Sequence, residues 1–138
     1  MKKIFLTLLA LLAVTFTAQA DAIVSGQQYK IVTLDGTKAL TCGATAKNDV
    51  TLTLADLSDT DGGQVWTLTA NGDYWGITSA LGNFNIDNPS SNHDGFHNQL
   101  CLWQTNGGNN QKWTFEAADD DTYYMIPFEA ADKCYALD

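Results

Sequence analysis

Apolar and polar residues alternate along the chain in short runs, such as Thr51-Leu52-Thr53-Leu54 and Gln99-Leu100-Cys101-Leu102-Trp103, with Gly, Asn and Asp recurring every few residues. Such alternation, bounded by turn-forming residues, is the signature of strands that bury one face. No segment of helix length after the first twenty residues carries an apolar stripe of 3.6-residue period, and the nearest, Phe115 to Asp121, reads as a short acidic connection. The pattern predicts an all-β domain.

The N-terminus departs from this pattern. Met1-Lys2-Lys3 precedes the apolar run Ile4 to Val14, which is too short to span a bilayer comfortably, and Ala18-Gln19-Ala20 forms an A-x-A pattern. Residues 1–20 are therefore expected to be a signal peptide cleaved after Ala20, which leaves one domain over residues 21–138 in a secreted, periplasmic or extracellular location. No cysteine lies near the junction to carry a lipid, and no later stretch is apolar enough for membrane insertion.

Self-similarity is the stronger signal. Gln64-Val65-Trp66-Thr67-Leu68 returns as Gln111-Lys112-Trp113-Thr114-Phe115, each after a Gly-rich turn. An aromatic-x-Ile marker appears as Tyr29-Lys30-Ile31, Trp75-Gly76-Ile77 and Tyr124-Met125-Ile126, followed by Ala39-Leu40-Thr41, Asn85-Ile86-Asp87 and Ala136-Leu137-Asp138. Ordered markers at a period in the mid-forties describe a repeated four-strand unit that cannot bury its apolar face alone. Two units are complete and the third stops early. Propeller blades share this period, but two and a half of them cannot close a ring of at least about four.

A QxW marker set after a Gly/Asn turn, once per unit, resembles the ricin-type lectins, and the resemblance covers almost the whole of residues 21–138. It implies a β-trefoil of three pseudo-symmetric lobes with one shallow potential sugar site per lobe, the third lobe here incomplete. A chain ending at Asp138 would leave strand edges uncovered, so either the reading frame is truncated or the third repeat is completed by self-association. The indoles of Trp66 and Trp113 are expected in the core, with each motif's Gln serving buried backbone groups.

A sugar site needs a carboxylate for vicinal hydroxyls, an aromatic face for the C–H side of the ring and an amide to orient the rest. Carried over from the family pattern, these fall in the middle repeat on Asp87, Trp103, Asn110 and Gln111. In the first repeat Thr41 replaces the carboxylate, Leu54 or Ala55 the aromatic and Gly63 the Asn, so that lobe is expected to be blind to sugar. Asp138 stands at the carboxylate position of the third.

Charge and residue inventory narrow the function further. A formal net charge of -9 with no basic cluster after the leader repels nucleic acid. The widely spaced Cys42, Cys101 and Cys134 match no zinc pattern, and their odd number leaves one unpaired or intermolecular. His93, Asp94 and His97 in a loop, Asp59-Thr60-Asp61-Gly62 and Asp119-Asp120-Asp121 are read as solvated turns rather than metal sites. No catalytic motif is present, and neither a cofactor nor a metal is implied. The expected function is binding of a glycan or oligosaccharide without catalysis. Two alternatives remain open: a protein-binding or inhibitor-type trefoil, and the targeting module of a larger secreted glycosidase.

Overall fold

A computed structural model describes residues 4–8, 22–89, 99–118 and 122–128. Ala18-Gln19-Ala20, the His93-Asp94-His97 loop, Asp119–Asp121, Cys134 and the final marker through Asp138 lie outside them.

The chain folds as strands joined by turns, as the alternation predicts. The first lobe comprises β2 (Gln27–Thr33), β3 (Lys38–Thr41), β4 (Val50–Thr51), β5 (Thr53–Asp56) and β6 (Trp66–Asn71). The second comprises β7 (Tyr74–Ser79), β8 (Phe84–Asp87), β9 (Cys101–Gln104) and β10 (Trp113–Ala117), and the third begins with β11 (Tyr123–Pro127). A further strand, β1 (Ile4–Leu8), belongs to the segment read as a leader.

Pairing closes a ring. β6 joins β2 to β7, β7 pairs with β10, β10 with β11, β11 with β1, and β1 returns to β2, all antiparallel. Outside this six-stranded barrel stand the hairpins β3–β5 and β8–β9, one from each complete lobe. This is the architecture of a β-trefoil: two barrel strands and one hairpin per lobe.

Why these residues build it is visible in the core. Tyr29, Ile31, Leu52, Trp66, Leu68, Ile77, Ile86, Leu100, Leu102, Trp113 and Met125 are buried together. Burying a ring of this size takes its N–H out of water, and each indole finds a carbonyl at the equivalent place in its lobe: Trp66 Nε1 donates to Leu40 O and Trp113 Nε1 to Ile86 O, both at 3.1 Å. The two glutamines act alike. Gln64 donates to Asp56 O at 2.8 Å and accepts from Ser58 N at 2.9 Å; Gln111 donates to Gln104 O at 3.1 Å and accepts from Asn106 N at 3.0 Å. Each Gln thus ties down the loop between its hairpin and a short 3-10 turn, Gly62–Gln64 or Asn109–Gln111, into which the Gly-rich sequence before the motif folds.

Register corrects one expectation. Trp66 pairs with Tyr29 and Ser79, and Trp113 with Trp75 and Pro127. Pro127 is therefore the equivalent of Ser79, and counting back makes Tyr123, not Tyr124, the counterpart of Tyr29 and Trp75. The third-repeat marker is Tyr123-Tyr124-Met125, and Met125, 1 % exposed, fills the place of Ile31 and Ile77. A flexible thioether packs where a branched side chain does in the other lobes.

Candidate carbohydrate site in the middle lobe

The hairpin β8–β9 aligns Ile86 with Leu102, Asp87 with Cys101 and Asn85 with Trp103. Side chains alternate across a strand, so Ile86 and Leu102, both wholly buried, face the core, while Asn85, Asp87, Cys101 and Trp103 share the opposite face. Asp87 and Trp103 are diagonal neighbours there, with Cα atoms about 7–8 Å apart. The sequence-predicted carboxylate and aromatic are thus brought together.

The 3-10 turn brings the amides. Asn88 N donates to Asn110 O at 2.8 Å, which seats the turn against the end of β8. Asn110 Nδ2 then donates to Asp87 Oδ2 at 2.6 Å and Gln111 Nε2 to the same oxygen at 3.0 Å. Asp87 is only 3 % exposed, yet among the described residues its other oxygen, Oδ1, accepts no hydrogen bond. Two amides thus pin one oxygen of a buried carboxylate, and the other keeps its acceptor capacity among the described residues.

Gln111 is committed on both sides of its amide. Both amide hydrogens go to Asp87 and Gln104 O, and its carbonyl accepts from Asn106 N. With both hydrogens committed and only 2 % of its surface exposed, Gln111 supports the site from beneath. Asn110 is half-buried and gives one hydrogen to Asp87, so it remains able to reach outward. Trp103, 38 % exposed, is one of few large apolar side chains on the surface.

Two contributors are not apparent from the sequence. Cys101 lies directly across from Asp87, half-buried, and burial first, then the charges of Asp87 and Asp49, push its thiol up to about 11. It is a neutral, weakly polar wall. Asn48, from the first lobe, accepts from Gln104 N at 2.7 Å, and β4 pairs Val50 with Leu102 and Thr51 with Cys101. The first lobe therefore buttresses the strand that carries Trp103. Only strand register, which no single repeat reveals, could have located either.

In the first lobe the same place is filled. Leu40 pairs with Leu54 and Ala39 with Ala55, which puts Ala55, not Leu54, where Trp103 stands. Thr41, in place of Asp87, accepts from Gly43 N at 2.9 Å, and this turn holds the Gly43 carbonyl against Gly63, the counterpart of Asn110. A Cβ on Gly63 would lie 2.0 Å from Gly43 O. Gly63→Ala is accordingly expected to cost about 1–3 kcal/mol of stability by overpacking, read from urea denaturation midpoints, whereas Asn110→Ala, which removes atoms instead of adding one, should cost less.

Comparison with known proteins bears on the fold. The chain matches no family model and no curated protein. Among solved structures it is similar to a designed 3-fold symmetric protein, ThreeFoil, with a TM-score of 0.67 and 19 % identity over 80 % of this chain and 77 % of that one. At that identity the likeness speaks to architecture alone, and the chain is an all-β protein of β-trefoil fold.

Proposed function

We propose that this protein is a secreted carbohydrate-binding module of ricin-type lectin character, which holds an exposed sugar of a glycan in the middle lobe and does no chemistry on it. The observation that carries the reading is the Asp87 carboxylate: Oδ2 fixed by Asn110 and Gln111, Oδ1 accepting no hydrogen bond among the described residues, and the exposed Trp103 on the same sheet face.

The roles follow from chemistry. Oδ1 accepts hydrogen bonds from one or two adjacent hydroxyls, strengthened by the carboxylate charge. The Trp103 ring covers the C–H face of the pyranose, and Asn110 fixes a further hydroxyl. A monosaccharide makes few contacts at such a site, so a Kd between about 10 µM and 1 mM is expected, and strong attachment to a glycan surface requires several sites acting together. The leader-like N-terminus, Met1 to Ala20, supports an extracytoplasmic destination, where such glycans are displayed.

A glycan array with terminal galactose among its sugars, probed with wild type and Trp103→Ala, tests the reading. Wild type should retain a defined subset of sugars. Trp103→Ala should lose about tenfold or more in affinity, roughly 1.4 kcal/mol, while its stability falls by only about 1 kcal/mol because the ring is partly exposed. Equal retention by both proteins would remove Trp103 from the site, and no retention by wild type would favour a protein-binding trefoil.

A further inference from the structure

The barrel contains one strand that neither repeat accounts for. In each complete lobe the strand carrying the motif Trp closes the barrel by pairing with the first strand of its own lobe and the first strand of the next. Trp66 does so through Tyr29 and Ser79, and Trp113 through Trp75 and Pro127. Threefold repetition requires a third such strand between β11 and β2, its first residue paired with Tyr123 and with Thr33.

Ile4 pairs with Tyr123 and Thr33. The ladder then runs through Phe5↔Val32, Leu6↔Ile31 and Thr7↔Lys30 to Leu8↔Tyr29. Leu6 is thereby at the register position of Leu68 opposite Ile77 and of Phe115 opposite Met125. β1 is thus in the slot of the third QxW strand, in the same direction and the same register, although it comes from the opposite end of the chain and carries no QxW motif.

We propose that the slot between β2 and β11 is a strand-acceptor site and that Ile4–Leu8 is its occupant in the full chain, so that loss of this segment opens the barrel. The observation is independent of the carbohydrate reading. Strand addition suits the slot because both walls are already extended and antiparallel, and an occupant needs only free backbone groups and a short apolar sequence. Ile-Phe-Leu-Thr-Leu meets both conditions. Without it, β2 from Tyr29 to Thr33 loses its ladder on one side and presents an unpaired edge, the form of backbone that associates with other chains. One segment would then serve as leader and as closing strand, and processing after Ala20 would convert a closed monomer into a domain with a vacant strand site.

Proline scanning of the 1–138 chain tests this at the backbone. Leu6→Pro removes an amide and breaks the ladder in mid-strand, whereas Ala13→Pro lies in the same apolar run but outside Ile4–Leu8. Leu6→Pro should lower the melting temperature by roughly 10 °C or more, or shift the protein to a larger mass in light scattering; Ala13→Pro should match wild type. The 21–138 chain should behave like Leu6→Pro, and a synthetic peptide of residues 2–9 added in excess should restore the wild-type mass and raise the melting temperature. If Leu6→Pro or the 21–138 chain is a monomer that melts with wild type, or if the peptide changes nothing, the acceptor site does not exist.

Discussion

Trp113→Ala will cost about 3–5 kcal/mol of stability, a large share of the about 5–15 kcal/mol that a domain has in total. The ring is fully buried, and its backbone sits at a barrel junction between Trp75 and Pro127. Truncation leaves a cavity that the strand ladders on both sides prevent from collapsing. Part of that loss is the hydrogen bond that Ile86 O accepts from the indole, which a buried carbonyl gives up at a cost. Because Ile86 precedes Asp87, the loss reaches the candidate site. Trp113→Phe separates the two parts: it keeps most of the packing, loses the N–H, and should fall between wild type and Ala. Urea denaturation with near-ultraviolet circular dichroism reads both. A Trp113→Ala protein as stable as wild type would show that the motif indole is not structural.

Asp87→Asn will weaken sugar binding by about 1.5–3 kcal/mol while leaving the fold nearly intact. The asymmetry of the carboxylate explains why the two effects part. The new carboxamide oxygen can take the position of Oδ2 and accept from Asn110 and Gln111 as before. Its NH2 then replaces Oδ1, so an acceptor with charge becomes a neutral donor at the atom proposed to meet the sugar. Asp87→Ala behaves differently, because it leaves the Gln111 and Asn110 amides without their shared acceptor and should lower stability as well as affinity. Calorimetric titration beside thermal melts distinguishes these outcomes. Unchanged affinity in a folded Asp87→Asn protein would take Asp87 out of the binding site.

Much of the fold was legible because its constraints are local and repeat. A buried indole and its hydrogen-bonded Gln, set after a Gly-containing turn, recur because each lobe solves the same packing problem, so two copies in order announce the architecture. The third-repeat marker slipped by one residue because Tyr124-x-Ile126 imitates the aromatic-x-Ile spacing, whereas the core position is held by Met125, a different residue type doing the same job. β1 was illegible as a strand for a different reason: an apolar run behind two lysines satisfies a leader as well as it satisfies a barrel. The middle-lobe site was readable in its four motif residues but not in its division of labour. Which oxygen of Asp87 the amides hold, how Gln111 is committed, and how Cys101 and Asn48 frame the hairpin all depend on register between segments far apart in sequence. The closure of the first lobe by Gly43 is likewise a tertiary fact, though the glycine at position 63 is its sequence trace.

The most direct test of the central claim uses the four tryptophans as reporters, since each has its own place: Trp66 and Trp113 in the core, Trp75 half-buried on β7, Trp103 on the candidate site. Their indole N–H signals in a 15N-labelled sample can be followed while a sugar retained on the array is titrated in. The Trp103 signal is expected to move and saturate with a Kd between about 10 µM and 1 mM, while those of Trp66 and Trp113, whose N–H groups donate to the Leu40 and Ile86 carbonyls, stay in place. Saturable sugar binding that leaves Trp103 unmoved, or binding that survives in full when Asp87 is replaced by Asn, would contradict it.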